Sequence, residues 1–233
     1  MEKSFLTKHS RFGFTLAEVL ITLGIIGVVA AMTLPALVQN HRRQVVETSL
    51  AKFYSSINQA IKLSEVVNGD KKYWDALDWR ADEDGKSSGF NQNNESISYL
   101  WYKKYLAPYL KTTNVEIANS YDGITKLYFA DGSMLAFWAA AWYFFPNAKD
   151  YAEALTENGS SIFDKSKSGR KFFVFLFSKE KGVVPWGYQL TEEELKTGTY
   201  NRCVLNYTNE PATCATVIQR NGWKIPKDYP FKL

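Results

Sequence analysis

The longest apolar stretch of the chain covers residues 14–38, and Glu18 is its only ionisable side chain. A helix of about 20 apolar residues is long enough to cross the hydrocarbon core of a bilayer. The pattern therefore predicts a membrane-spanning helix over residues 14–38. A cleaved secretory signal is the alternative interpretation, but here the apolar run continues past the small residues where such a signal would be cut.

Residues 39–67 follow a different pattern, in which apolar residues recur every three or four positions with polar residues between them. The apolar positions are Val46, Leu50, Phe53, Ile57 and Ile61. This spacing predicts an amphipathic helix that ends near residue 68, where Asn and Gly favour a helix C-terminus. We expect its apolar face to pack on a sheet of the same chain, because the pattern lacks the sustained heptads of a free-standing coiled coil.

The rest of the chain, residues 68–233, predicts a globular head that contains both helix and sheet. A helix is expected over residues 97–106, and residues 124–129 and 134–138 predict a β-hairpin. Residues 171–182 are rich in aromatic and branched side chains and predict a buried strand. The apolar segment 137–145 is too short for a second membrane span, so we expect it in the core.

The glutamate in the apolar run needs an explanation, because an intramembrane carboxylate is costly unless it has a partner. No basic side chain of the run lies within helical reach of Glu18. An amine created by cleavage just before Phe14 on a neighbouring copy would supply the opposite charge. The alternative is that Glu18 lies shallow enough to reach the lipid headgroups.

The residues around this glutamate resemble the class III signal of type IV pilins and type II secretion pseudopilins. A short basic leader ends in Gly13, Phe14 follows it, and Glu18 lies four residues further on in the sequence GFTLAEVLI. The resemblance implies that a prepilin peptidase cuts between Gly13 and Phe14 and methylates the new amine. It also implies that Glu18 pairs with the terminal amine of an adjacent subunit, and that Pro35 kinks the helix.

The pattern and the resemblance together predict an α+β, pilin-like fold with a long N-terminal helix on an antiparallel sheet with loop insertions. We expect a cleaved leader over residues 1–13 and a membrane-spanning, filament-core helix over 14–38. An amphipathic helix over 39–67 then leads into an extracytoplasmic head over 68–233. The resemblance is carried by about residues 9–60 and fades beyond them.

The basic leader favours a cytoplasmic N-terminus, although Arg42 and Arg43 add positive charge on the exit side. The head would then lie outside the cytoplasm, where Cys203 and Cys214 are expected to form a disulfide. We therefore expect a single-pass protein of the bacterial inner membrane, with its head in the periplasm, that later enters a filament.

Enzymatic chemistry finds little support in the sequence. His9 and His41 are the only histidines, so the head has no imidazole for a nucleophilic centre. Neither a phosphate-binding P-loop nor a dinucleotide fingerprint is present, so assembly would need a separate ATPase and an inner-membrane platform. We expect no cofactor and no metal ion, and interpret the acids at residues 82–84 as a solvated loop.

The bulk charge does not favour a nucleic-acid partner. The formal net charge is +4, and the leader holds +2 of it, from Lys3, Lys8 and Arg11 against Glu2. The remainder of the chain is nearly balanced, so no strong basic field is expected over the head. The run of cations at residues 165–171 is interpreted as a solvated loop.

The expected function is that of a structural subunit, which polymerises with other pilin-like subunits into a type IV pilus or a secretion pseudopilus. A minor pilin-like binding module and an uncleaved single-pass anchored domain are the alternatives. A glycan-binding module would need exposed aromatic rings at Trp138, Trp142, Trp186 and Trp223. A DNA-binding module would need its cations to join others on one face, namely Lys165, Lys167, Arg170 and Lys171.

Overall fold

The computed structural model describes residues 13, 15–77, 80–81, 87–118, 123–139, 141–156, 162–197, 203–204 and 211–233. The chain forms two compact units, Met1–His41 and Arg42–Leu233. Helix α1 (Leu16–Asn68) contributes residues to both units.

The second unit contains four further α-helices and eight strands among the described residues. In chain order these are β1 (Arg80–Ala81), β2 (Ser87–Ser88), α2 (Ile97–Tyr105), β3 (Asn114–Ile117), β4 (Thr125–Tyr128), β5 (Met134–Trp138), β6 (Ala141–Phe145), α3 (Asp150–Ala154), β7 (Phe173–Ser178), β8 (Gly182–Pro185), α4 (Glu192–Thr197) and α5 (Cys214–Arg220). Short 3-10 turns occur at Lys71–Tyr73 and Lys165–Lys167.

The main sheet has six strands in the order β3-β4-β5-β6-β7-β8, and every neighbouring pair is antiparallel. Each strand pairs with the next one in the chain, so short connections suffice and β3 and β8 form the two edges. Strands β1 and β2 form a separate two-stranded ribbon. The hairpin predicted around residue 131 is confirmed as β4 and β5, with Leu127 opposite Leu135.

The part of α1 in the second unit packs on one face of this sheet. Leu50 and Ile57 are fully buried, and Phe53 stacks on Phe144 with a ring separation of 4.4 Å. The Phe53 ring also meets Phe175 edge-on at 5.1 Å. The prediction of an amphipathic helix packed on a sheet of the same chain is confirmed, and the helix ends at Asn68.

The other face of the sheet carries a second apolar cluster, which includes Phe145, Phe163 and Phe172. Because both faces are covered, all five residues of β5 are buried and the strand shows no alternation of exposed and buried positions. Of segment 137–145, residues 137–138 lie in β5 and residues 141–145 in β6, which confirms that it contributes to the core.

One predicted strand is longer in the sequence than in the structure. The strand expected over residues 171–182 is β7 alone, since the chain turns after Ser178 and re-enters the sheet as β8 at Gly182. Gly182 has φ +84°, a conformation that glycine adopts at little cost. The turn therefore converts one apolar run into a hairpin.

The C-terminal part of the second unit is held to the rest of that unit by a disulfide and by buried aromatic rings. Cys203 and Cys214 form a disulfide, as the sequence predicts, with their Cα atoms 4.8 Å apart. Tyr229 and Phe231 are buried, and the Tyr229 hydroxyl donates a hydrogen bond of 2.6 Å to the Gly169 carbonyl. Helix α5, which begins at Cys214, was not predicted from the sequence.

Candidate processing and assembly site

Thr15 and Glu18 form a hydrogen-bonded cap at the start of α1. The backbone N–H and the hydroxyl of Thr15 each donate to Oε2 of Glu18 at 2.8 Å. The Glu18 N–H donates to the Thr15 hydroxyl at 3.2 Å. This reciprocal arrangement is a capping box, in which two side chains satisfy backbone N–H groups that the first turn leaves without partners.

The cap gives Glu18 a partner that the sequence interpretation missed. A Thr followed three residues later by Glu, just before an apolar run, is the sequence signal of a capping box, and residues 15–18 read TLAE. Both bonds from Thr15 reach the same oxygen. Among the described residues, Oε1 accepts no hydrogen bond, and no cation lies in an ion pair with the carboxylate.

The apolar segment that follows is exposed within the chain. Leu16 is 79% exposed and Met32 76% exposed, and none of the described residues of this segment is buried. The hydroxyl groups of Thr22 and Thr33 donate to the carbonyls of Val19 and Val29 at 2.9 Å. Neither hydroxyl therefore needs water as a hydrogen-bond acceptor. By length and composition, α1 is the one helix in the described part of the chain that could cross a membrane.

The structure describes the cleavage site only in part. Gly13 is exposed with open space around its Cα atom, while Phe14 lies outside the described residues. Pro35 lies inside α1, and the helix is continuous on both sides of it. The cut between Gly13 and Phe14, the methylation of Phe14 and the kink at Pro35 stay predictions.

Comparison with known families covers nearly the whole chain in two adjacent parts. Residues 36–233 match the model of a family described as "Family of unknown function (DUF6613)". The chain belongs to the DUF6613 family. No curated protein and no solved structure matches it.

The segment in front of the DUF6613 region matches a second model. Residues 8–34 match the prokaryotic N-terminal methylation motif, so this DUF6613 protein carries a type IV pilin-like prepilin signal. The match includes Gly13, Phe14 and Glu18 and ends just before Pro35. It supports a processed subunit of the pilin or pseudopilin type and points to a structural rather than an enzymatic role.

The head of this DUF6613 protein offers little aromatic surface at the positions considered for glycan binding. Trp142 is fully buried and Trp138 is 8% exposed. Trp186 and Trp223 are half-buried, and the Trp223 ring lies 5.1 Å from that of Tyr54. These four rings therefore form no exposed stacking platform, which removes the support for a glycan-binding module.

Cations from the run at residues 165–171 do join others. Lys167, Arg170 and Lys171 line a pocket of about 390 Å³ together with Arg42 and Lys232, whereas Lys165 is not among the residues that line it. The interpretation of this run as a plain solvated loop is therefore too simple.

The structure adds no candidate for a metal centre. Across the described residues, no three His, Cys, Asp or Glu side chains come together as a metal-binding group would require. The acids at residues 82–84 lie outside the described residues. Metal binding therefore has no support from the described residues.

Proposed function

We propose that this chain is a filament subunit, a pilin or pseudopilin, that prepilin peptidase cuts between Gly13 and Phe14. The observation that carries the proposal is the methylation-motif match over residues 8–34, on a helix whose apolar segment is exposed within the chain. A lipid bilayer and the helices of neighbouring subunits are two apolar surroundings that can cover such a segment in turn.

Glu18 provides the assembly contact in this proposal. Its Oε2 atom is held by Thr15, which fixes the direction of the carboxylate, and none of the described residues donates to Oε1, which can therefore accept from an incoming donor. The methylated amine of Phe14 keeps its positive charge, so the amine of one subunit can pair with the Glu18 of the next. A charge-assisted hydrogen bond of this kind is stronger in an apolar filament core than in water.

The orientation and the partners follow from the same proposal. The basic leader stays in the cytoplasm and the head lies in the periplasm, where the Cys203–Cys214 disulfide can form. Prepilin peptidase, an inner-membrane assembly platform and a separate ATPase are the expected partners, together with other pilin-like subunits. The packing of the N-terminal helix and the pairing of Glu18 with an amine would be the same in a pilus and in a pseudopilus.

The test is intact-mass and N-terminal analysis of the full chain expressed with a prepilin peptidase. The wild type should begin at Phe14 and carry one added methyl group, and Gly13→Ala should keep its leader. A wild-type chain that keeps its leader would contradict the proposal and favour an uncleaved anchored domain.

A second pair of variants separates the charge of Glu18 from its capping role. Glu18→Gln keeps hydrogen-bond acceptors for Thr15 but removes the charge, whereas Thr15→Val removes the hydroxyl and keeps the charge. We expect Glu18→Gln to be cut but not to enter filaments, and Thr15→Val to be cut and to assemble. Filaments of Glu18→Gln in wild-type amounts would rule out the ion pair.

A further inference from the structure

Five cations of the second unit line one pocket, namely Arg42, Lys167, Arg170, Lys171 and Lys232. We call it the basic pocket. Its volume is about 390 Å³, and Asp150 is the one acidic side chain among the residues that line it. The five cations outnumber the Asp150 carboxylate and the main-chain carboxyl group of Leu233, which also lines the pocket, so this concave surface favours an anion.

Two of the five cations are partly neutralised by the protein itself. The Lys171 ammonium lies 2.7 Å from a carboxylate oxygen of Asp150 and 3.2 Å from one of Glu153. Lys167 makes a looser pair with Asp164 at 4.0 Å. These two lysines therefore help to shape the basic pocket but contribute less of its net charge.

Of the other three cations, Arg42 and Lys232 keep their charge available, while the Arg170 guanidinium lies 5.7 Å from the centroid of the Phe231 ring. Arg42 and Lys232 are exposed, and within the described residues neither takes part in an ion pair. Arg170 donates to the Ser166 carbonyl at 2.6 Å, and its Nε atom is buried without a hydrogen-bond partner among the described residues. A buried donor that the protein leaves unsatisfied is costly, which makes Arg170 a ready partner for an added acceptor.

The basic pocket also has an apolar side, formed by Val45, Val46 and Pro146. Val45 is 39% exposed while Val46 and Pro146 are buried, so Val45 provides the open apolar surface beside the cations. A phosphate ester with a hydrocarbon part fits this combination better than a bare inorganic anion does. A nucleic acid would instead need a row of cations that follows its backbone over several phosphates.

The position of Arg42 in the chain favours a membrane lipid as the source of the phosphate. Arg42 follows the last residue of the apolar run, Val38, by four residues of the continuous helix α1, which places it about 6 Å further along the helix axis. The two headgroup layers together add about 10–15 Å to the hydrocarbon thickness of a bilayer, so each layer is about 5–8 Å thick. While residues 14–38 lie in the membrane, Arg42 therefore stays within reach of the headgroups.

We propose that the basic pocket binds the phosphate of an anionic phospholipid from the leaflet that faces the head. Such a contact would hold the head at the membrane surface until the subunit is drawn into a filament. The inference relies on the membrane insertion of residues 14–38, but not on cleavage at Gly13 or on polymerisation. A test on the uncleaved full chain can therefore contradict lipid binding while the filament proposal stands. Equally, the filament proposal can fail while lipid binding stands.

The experiment measures lipid retention by the uncleaved full chain in detergent micelles, using native mass spectrometry. The probes are a short-chain phosphatidylglycerol and the phosphatidylcholine of equal chain length. The pocket variant is Arg42→Gln/Lys232→Gln, both at exposed positions, and a triple variant adds Arg170→Gln. The control for the double variant is Lys62→Gln/Lys103→Gln, which removes two exposed positive charges elsewhere. The control for the triple variant adds Lys111→Gln to that pair.

We expect the wild type to prefer phosphatidylglycerol, and the pocket double variant to bind it at least about tenfold more weakly, because each cation near a lipid surface contributes appreciably. The control variants should change by less than about twofold, as distant exposed charges are screened. Thermal unfolding of every variant checks that the fold is kept. Should the triple variant be unfolded, the double variant alone provides the test.

Four results would overturn the proposal. The two lipids could bind equally well, or the control variants could lose as much affinity as the pocket variants, which would reduce the effect to net charge. Inorganic phosphate could displace phosphatidylglycerol at equal concentration, which would assign the site to the free anion. A short DNA duplex could bind more tightly than the lipid and lose its binding in the pocket variants.

Discussion

At the scale of single residues, Glu47 shows how one side chain of α1 holds a distant segment. Its carboxylate accepts hydrogen bonds of 2.9 Å from the Lys224 ammonium and from the Ile225 N–H. One turn earlier, Arg43 donates to the carbonyls of Ile225 and Pro226 at 3.0 Å. Two oppositely charged side chains of α1, Glu47 and Arg43, thus bind the backbone N–H and the backbone carbonyl of Ile225.

The first prediction concerns the pH dependence of this contact. Burial raises the pKa of Glu47, but hydrogen bonds from Lys224 and Ile225 and the charges of Lys224 and Arg43 outweigh it, so the pKa is lowered from 4.5. A lowered folded-state pKa stabilises the fold above the unfolded value, and this contribution disappears as the pH falls through the folded value. Glu47→Gln should therefore cost about 1–2 kcal/mol at pH 7 and much less near pH 3.

Urea unfolding of the full chain in detergent at both pH values measures this difference. Glu180→Gln is the matched control, since that side chain is exposed and should change the free energy of unfolding by less than about 0.5 kcal/mol. An equal cost of Glu47→Gln at the two pH values would show that the carboxylate charge plays no part.

At the scale of elements, the question is what fixes α1 against the edge of the sheet. The Asn58 amide binds both backbone groups of Val183 in the edge strand β8, as Nδ2 donates to the carbonyl at 2.9 Å and Oδ1 accepts from the N–H at 3.0 Å. The side chain acts in place of a further strand. It satisfies backbone groups that an edge strand would otherwise leave open.

The second prediction follows from this contact. Asn58→Ala should destabilise the protein by about 2–3 kcal/mol, because it leaves an N–H and a carbonyl of the buried Val183 without partners. Gln59→Ala is the control on the same helix, where the amide binds only the exposed Ser55 hydroxyl at 2.9 Å. Thermal or urea unfolding compares the two variants, and equal costs would show that the Asn58 contact has no special role.

At the scale of the whole molecule, the chain separates into a unit with an exposed apolar helix and a unit with its own core. The second unit buries Leu50, Phe53 and Ile57 of α1 and closes its C-terminal region with the disulfide. Among the described residues, every member of its two core clusters lies within Arg42–Leu233. The second unit should therefore fold independently of the exposed apolar segment.

The third prediction tests that independence. A fragment of residues 42–233, exported to an oxidising compartment, should be soluble without detergent, carry the disulfide and unfold cooperatively. A shorter fragment that begins at residue 54 lacks Leu50 and Phe53 and should not fold, since losing two buried side chains costs several kcal/mol. Gel filtration and circular dichroism make the comparison, and an aggregated 42–233 fragment would contradict the prediction.

The features that the sequence determined by itself are those with a regular period or a local motif. Residues 14–38 and 46–61 differ in their apolar spacing, and Asp131 and Gly132 mark a turn, so the helix and the first hairpin were predictable. The prepilin signal is equally local, because the matched methylation motif is confined to residues 8–34. The capping box at Thr15 and Glu18 was readable in the same way and was overlooked.

The tertiary structure alone decided which residues meet across long separations. Nothing in the spacing links Glu47 to Ile225, or Arg42 to Lys232, because such contacts depend on how the chain returns to α1 after the sheet is complete. The burial of β5 on both faces likewise depends on the loops that cover the second face of the sheet. Local spacing therefore determined the helices, the hairpin and the processing signal, while packing brought five scattered cations into one pocket.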